Sequence, residues 1–415
     1  MGDVWYRLDN VAKVFAATSN RRDPRVFRLS CTLDAPVDAA LLDAALKKTA
    51  RQFQSFQLTM HRGLFWYYLE STDHLPEAVP ETLPPCAEIY SPAERGGLLY
   101  RVSYYGCRVS LEVFHVLSDG TGALAFLKTL ICHYLKACHP EALADAVPEC
   151  DTCLEEREQD SFRQFYGRRK TAKTRRVRAY HLRGLRLPYD QTQFFELHLP
   201  AAQTLALAKG CGVTLTSYLG AALVQAIYAE MPVLERARPI TIGLPVNLRN
   251  YYPSGTSHNF FNTVWVSMAL AGGETQAQLA AEFDEKLRAQ LSQENVMARM
   301  DAYEELERIP AIKPVPLILK DRVVSFSNWL EKHYETATVS NMGRISFGAA
   351  LDPYIRGFTS YCSTSSLFVT ISSWQDDLVL GAASAFRRTG ILRRFVRGLA
   401  QQLPEVAVYA THPEE

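Results

Sequence analysis

The stretch Val109-Ser-Leu-Glu-Val-Phe-His115-Val-Leu-Ser-Asp119-Gly120-Thr-Gly-Ala-Leu-Ala-Phe-Leu127 decides how the rest of the chain is read. Val109, Leu111, Val113 and His115 share one side of a period-two pattern, so a buried strand would end in an imidazole that points with three core residues. Ser118, Asp119 and Gly120 then supply N-cap chemistry, and Leu124, Leu127, Ile131, Tyr134 and Leu135 recur at helical spacing. The predicted order is strand, tight turn, helix, with His115 at the elbow. Taken singly, each residue has an ordinary structural explanation: a core histidine bonded to a carbonyl, a carboxylate capping free N–H groups, a glycine relieving a turn.

Around this stretch, 415 residues with 47% hydrophobic side chains can bury the core of two domains or one large one. Basic and acidic side chains nearly balance, 45 against 44, so no global field points to nucleic acid or a membrane surface. No apolar run approaches the length of a membrane span, and Met1-Gly-Asp-Val-Trp-Tyr-Arg-Leu8 carries charges where a signal peptide needs an apolar core, so a cytoplasmic location is expected. Nine cysteines without a regular framework fit reduced thiols. Cys132-His133, Cys138-His139 and Cys150-Asp-Thr-Cys153 could be drawn as a zinc site, but the first two pairs fall on a predicted helix at a spacing unlike ligand knuckles, and no metal is expected.

Upstream, Val26–Leu33 reads as a strand, Leu41 to Phe53 as an amphipathic helix, 56–61 and 64–69 as a hairpin about Arg62-Gly63, and 98–105 with 108–115 as a hairpin about Gly106. From Arg157 to Arg186 eleven Arg and Lys face only Glu158 and Asp160. Such a segment serves as a nucleic-acid arm, as a phosphate contact for a nucleotide-bearing cofactor, or as a solvated linker, and the acidity elsewhere favours the linker. The expected division is therefore 1–155, a basic linker 156–188, and 189–415. Downstream, strands are predicted over 193–199, 239–249, 259–268, 336–343, 367–373 and 378–384, with helices over 201–209, 214–230, 275–300 and 390–403.

With these residues laid out, the chain resembles the superfamily of CoA-dependent acyltransferases that includes chloramphenicol acetyltransferase, the alcohol acetyltransferases and the condensation domains of nonribosomal peptide synthetases. The resemblance is carried by His115-Val-Leu-Ser-Asp119-Gly120, which fits the His-x-x-x-Asp-Gly motif at a strand-to-helix elbow. Gly212-Val-Thr214 opening a helix, Ile242-Gly-Leu-Pro-Val-Asn-Leu-Arg249 with Asn259-Phe-Phe-Asn262, and Val339-Ser-Asn-Met-Gly343 add to it in the same order. A lone His-x-x-x-Asp is common by chance; the ordered set is not. Condensation domains usually carry two adjacent histidines, whereas Phe114 precedes His115 here, which favours acyl transfer from a soluble thioester over peptide-bond formation. The Asp-Phe-Gly-Trp-Gly signature of the plant branch is absent.

The resemblance implies an α/β (α+β) fold of two similar lobes, each a mostly antiparallel mixed sheet with packed helices, and a tunnel between them. It implies His115 as general base, Asp119 as a structural partner of an arginine, with Arg249 the candidate, and Gly120 as a gap that leaves room for a pantetheine arm. Ser340 and Asn341 are the candidate oxyanion donors by motif position, ahead of Ser363, Thr364 and Asn247. The co-substrate implied is acyl-CoA, with no permanently bound cofactor, and the acceptor a small alcohol or amine. Alternatives are a carrier-protein thioester as donor and a non-catalytic, condensation-like binding module.

Overall fold

The computed structural model describes residues 5–91, 96–147, 165, 167, 177–188, 191–298, 301 and 314–411. Chain order begins with β1 (Trp5–Arg7), α1 (Asn10–Thr18), β2 (Val26–Leu33), α2 (Ala39–Gln52), β3 (Leu58–Arg62), β4 (Tyr67–Ser71), β5 (Ala78–Pro80), β6 (Tyr100–Tyr105), β7 (Arg108–Phe114) and α3 (Gly120–Cys138). The second half continues with β8 (Gln193–Pro200), α4 (Ala201–Gly210), α5 (Leu215–Glu230), β9 (Ile240–Asn247), β10 (Phe261–Met268) and α6 (Gln276–Gln290). It ends with α7 (Leu317–Lys332), β11 (Ala337–Ile345), β12 (Ile355–Cys362), β13 (Leu367–Trp374), β14 (Asp377–Ser384), α8 (Gly390–Ala400) and β15 (Ala407–Ala410).

Two sheets organise these elements, as expected for a two-lobed α/β chain. The first runs β12-β2-β7-β6-β5 and the second β10-β9-β11-β13-β14-β8-β15, and a small β1-β4-β3 sheet flanks the first. Most neighbours pair antiparallel; β5 with β6, and β11 with β9 and β13, are parallel. Each sheet has its own apolar core, one around Leu29, Leu111, Phe126 and Leu130, the other around Ile242, Val266, Phe283 and Leu380.

Burial explains where the period-two reading of β7 loses its contrast. Every residue from Val109 to Phe114 is buried, because helices cover one face and a buried polar layer covers the other. In that layer Glu112 pairs with Arg101 and with Arg28 (3.5 Å), and accepts the Cys86 N–H at 2.7 Å. A buried carboxylate persists only when charges and donors surround it in this way.

The lobes are not successive in sequence alone. β12, from the C-terminal half, pairs antiparallel with β2 and completes the first sheet. It crosses close over the second sheet at Gly381, where a Cβ would stand 1.9 Å from the Ser360 carbonyl oxygen. Thr370 Oγ1 donates to that same carbonyl at 2.5 Å. β12 and α7 were not among the predicted elements. β12 breaks its apolar run with Arg356 and Gly357, and α7 exposes rather than buries its large apolar side chains.

Other differences are local. The hairpin predicted about Arg62-Gly63 closes instead over 63–66, with Arg62 opposite Tyr67. The helix predicted over 275–300 stops at Gln290, where Tyr251 Oη takes the Leu291 carbonyl at 2.8 Å, and helical structure resumes at 293–298. Most of the basic segment, and Cys150 and Cys153, lie outside the described residues; Arg183 and Arg186 run along the second lobe, where Arg183 pairs with Glu235 at 2.9 Å. Among the described residues no single helix is long and apolar enough to cross a membrane.

Candidate active site

β7 ends at Phe114, and one more backbone bond, His115 N–H to the Arg25 carbonyl at 2.8 Å, carries the pairing to the histidine before the chain turns. Leu117 N–H closes the turn onto the Phe114 carbonyl at 2.9 Å. Asp119 then caps α3: its Oδ1 accepts from Thr121 and Gly122 N–H groups at 3.0 Å each. The predicted strand, elbow and helix are therefore present, with His115 one residue beyond the strand.

Asp119 Oδ2 turns to the second lobe. It accepts from Arg249 Nη1 at 2.7 Å and from Phe260 N–H at 2.9 Å. Arg249 in turn donates through Nη2 to the Thr256 and His258 carbonyls at 2.8 and 2.9 Å, so one guanidinium fastens the 247–260 loop to the start of α3. Both side chains are nearly buried, 12% and 6% exposed. The expected Asp119–Arg249 pair is formed, and its bonds leave the carboxylate directed at structure rather than at open space.

The imidazole of His115 sits at the seam between lobes. Phe15 and Phe27 of the first lobe and Phe261 of the second approach its ring with centroids at 4.6, 4.7 and 5.5 Å. The residue is half-buried. Nδ1 lies 3.1 Å from Asn259 Oδ1. Burial holds the imidazole below its ordinary pKa of 6.5; the Asp119 charge and the Asn259 bond oppose this, and Arg25 adds to it. That direction favours the neutral ring, the form able to accept a proton.

Gly120 and Gly122 differ in what a side chain would meet. A Cβ on Gly120 would stand 3.3 Å from the flexible end of Met342, whereas one on Gly122 would stand 2.3 Å from both Ser118 Oγ and the Ser257 carbonyl oxygen. Ser118 Oγ donates to that carbonyl at 2.5 Å, so Gly122 is where the helix start and the second-lobe loop touch. Sequence reasoning passed over Gly122 and over Asn259 as an individual residue; the Gly-x-Gly spacing and the Asn-Phe-Phe-Asn marker were the available signals.

Asn341 is committed elsewhere: its amide donates to Thr216 Oγ1 at 2.8 Å and accepts from Gly343 N–H at 2.7 Å. Ser363 Oγ accepts from Val26 N–H and donates to Asp23, and Asn247 Oδ1 accepts from Arg249 N–H. Ser340 lies on β11, two positions before Met342, which approaches Gly120. His133 is bonded to Gln52 at 3.0 Å and His139 stacks on Tyr354, so both are occupied in first-lobe packing.

A cationic group lies on the Arg25 side of the ring. Arg25 and Lys332 reach Asp23 at 3.3 and 3.8 Å, Lys332 and Arg186 both bond Ser365, and Arg22 stands near enough to Arg186 to add to the depression that burial imposes on it. Asp23 and the buried Glu335 are the carboxylates these cations face.

No protein-family model matches the sequence, and no curated protein is similar to it in sequence. Solved structures do match over nearly the full length. Polyketide synthase associated protein 5 from Mycobacterium tuberculosis shares 16% identity, with 95% of this chain and 96% of that one covered and a TM-score of 0.61. The first condensation domain of the CDA synthetase shares 16% over 98% of this chain and 99% of that one, with a TM-score of 0.59. TRI101 of F. graminearum, solved with ethyl coenzyme A, shares 11% over 98% and 99%, with a TM-score of 0.64. The chain has the two-lobed fold that condensation domains and CoA-dependent acetyltransferases share.

Proposed function

We propose that the chain is an acyltransferase that moves an acyl group, acetyl in the simplest case, from a CoA thioester to the hydroxyl or amine of a small acceptor. The observation that supports this reading is the partly exposed imidazole of His115 at the seam of two lobes, between Phe15 and Phe27 of the first and Phe261 of the second. His115 takes the proton of the acceptor O–H or N–H as that atom attacks the thioester carbonyl. The tetrahedral intermediate then expels the thiolate, which recovers the proton from the imidazolium. General-base assistance of this kind contributes about two to four powers of ten. Ser340 is the proposed hydroxyl donor to the oxyanion, with Asn341 second because its amide is already bonded.

Arg22, Arg25, Arg186 and Lys332 outnumber Asp23 and Glu335 beside the site, which supports a donor bearing phosphates. A carrier-protein thioester is the second reading. It is favoured by the face of α7 on which Ile318, Val323, Phe326 and Trp329 are all more than half exposed, a surface suited to a macromolecular partner. In either case the chain acts as a soluble, cytoplasmic enzyme.

The test is release of free thiol from acyl-CoA and from acyl-carrier-protein donors, each offered with a panel of alcohols and amines. Wild type releases thiol with one acceptor class well above hydrolysis, and His115→Ala loses at least about 100-fold. Equal activity of His115→Ala and wild type, or no thiol release across the panel, overturns the proposal.

A further inference from the structure

We infer that the outward face of α7 is where two copies of this chain pair, helix against helix and antiparallel. The bonds that fasten α7 to its own chain leave from one side of the helix. Leu317 N–H donates to the Leu64 carbonyl at 2.8 Å and Lys320 Nζ to the Phe65 carbonyl at 2.9 Å. Asp321 accepts from Tyr67 Oη at 2.8 Å, and Ser325 Oγ donates to the Ala17 carbonyl at 3.0 Å. At about 3.6 residues per turn these anchors point one way, and Leu319, Val323, Phe326 and Leu330 point the other. Those four, with Ile318 and Trp329 beside them, are between 40% and 65% exposed.

The four fall at steps of four, three and four residues, the stagger with which one helix seats its side chains between those of another. The pattern also reads the same in both directions. Laid antiparallel about a two-fold axis between Val324 and Ser325, Leu319 of one copy meets Leu330 of the other and Val323 meets Phe326, each pair twice. Ile318 and Trp329 share one edge of the seam and close over each other, with Arg322 on that edge placed to cover the indole. Phe326 and Trp329 already stack within the single chain, ring centroids 5.7 Å apart, so little rotamer freedom remains to be lost. Taking about 150 to 250 Å² for a large apolar side chain, the six present roughly 600 Å² per copy. The pair then buries about 1,200 Å², the low end of stable interfaces. With 45 basic against 44 acidic side chains, no net charge holds the copies apart. For the acyl-transfer reading the consequence is steric: a face taken by a second copy is closed to a carrier protein, so the dimer draws its donor as a soluble thioester.

The experiment is sedimentation velocity of the full chain from about 1 to 100 µM. Wild type is expected to sediment as a dimer with a Kd of about 10 µM or below. Val323→Glu and Phe326→Lys are each expected to weaken that dimer at least about 30-fold, because each sets a charge in the middle of an apolar seam. Both positions are exposed in the single chain, so each variant is expected to melt within about 2 °C of wild type at dilutions where all are monomeric. Mixing the two variants tests the register. It brings the new carboxylate of one chain opposite the new ammonium of the other, as a parallel pairing would not, and is expected to tighten association at least about 10-fold over either variant alone. A monomer at about 100 µM, a dimer that both variants leave intact, or variants that do not rescue each other overturns the inference. Acyl-carrier protein that binds monomeric wild type, and no longer binds Val323→Glu, overturns it in the carrier's favour. A dimer found without any thiol release supports the inference while the acyl-transfer reading fails.

Discussion

Replacing Asp119 by alanine tests the elbow on which the site is built, because that one carboxylate accepts from Thr121 and Gly122 of α3 and from Arg249 and Phe260 of the second lobe. Loss of a helix cap costs about 1 kcal/mol. Removing one member of a buried ion pair costs about 3 to 5 kcal/mol, since the other charge is left uncompensated, and the exposures of 12% and 6% place this pair in that class. A loss of about 4 to 6 kcal/mol follows. Unfolding entropy near 2.1 cal/mol/K per residue gives about 0.9 kcal/mol per kelvin for 415 residues, so a cooperative melt should fall by about 4 to 7 °C. Thermal and urea unfolding of wild type, Asp119→Ala, Arg249→Met and the double variant would measure it. If the cost is a stranded charge, the double variant loses at least about 2 kcal/mol less than the two single losses combined. Single losses below about 1 kcal/mol, or losses additive to within about 0.5 kcal/mol, would refute the reasoning.

At the same elbow, Gly122→Ala should cost at least about 3 kcal/mol or fail to fold while Gly120→Ala stays within about 1 kcal/mol, because the first meets a backbone carbonyl at 2.3 Å and the second a flexible methionine tip at 3.3 Å; equal melts would refute this. Gly381→Ala should destabilise comparably to Gly122→Ala, since its Cβ would meet the Ser360 carbonyl oxygen at 1.9 Å, and an unchanged urea midpoint would show that β12 can lift off the second sheet. Burial alone would lower the pKa of His198, but its hydrogen bond to Asp377 and the Glu196 carboxylate 3.6 Å from Nε2 raise it to about 9. Its contribution to stability is then complete below the unfolded value of 6.5 and fades as pH rises toward 9, by at most about 3 kcal/mol and less for a side chain 25% exposed. His198→Gln should flatten urea midpoints between pH 6.5 and 9, and an equally steep decline in the variant would assign it elsewhere.

Local chemistry made the elbow legible before any tertiary contact was known. Asp119 reads as an N-cap because a carboxylate beside a glycine and an apolar periodic run has few better uses, and that cap is formed. The hairpin about Gly106, the helix opened by Thr214 and the strands over 367–373 and 378–384 were legible for a like reason: turn, cap and β-branched residues act on their immediate neighbours. β12 and α7 were not, because their composition answers to distant surfaces. Arg356 and Gly357 interrupt a strand that pairs across 322 positions with Leu33, and α7 turns its apolar side chains outward, against the usual inside–outside pattern.

By itself, then, the sequence determined that a histidine would stand at a strand-to-helix elbow with a capping aspartate four residues on, since spacing and side-chain chemistry suffice for that. Only the tertiary structure decided what the histidine faces. Asn259 is 144 positions away from His115, and the side chains that set a ring's solvent access and charge arrive through packing of two lobes, which no local pattern encodes.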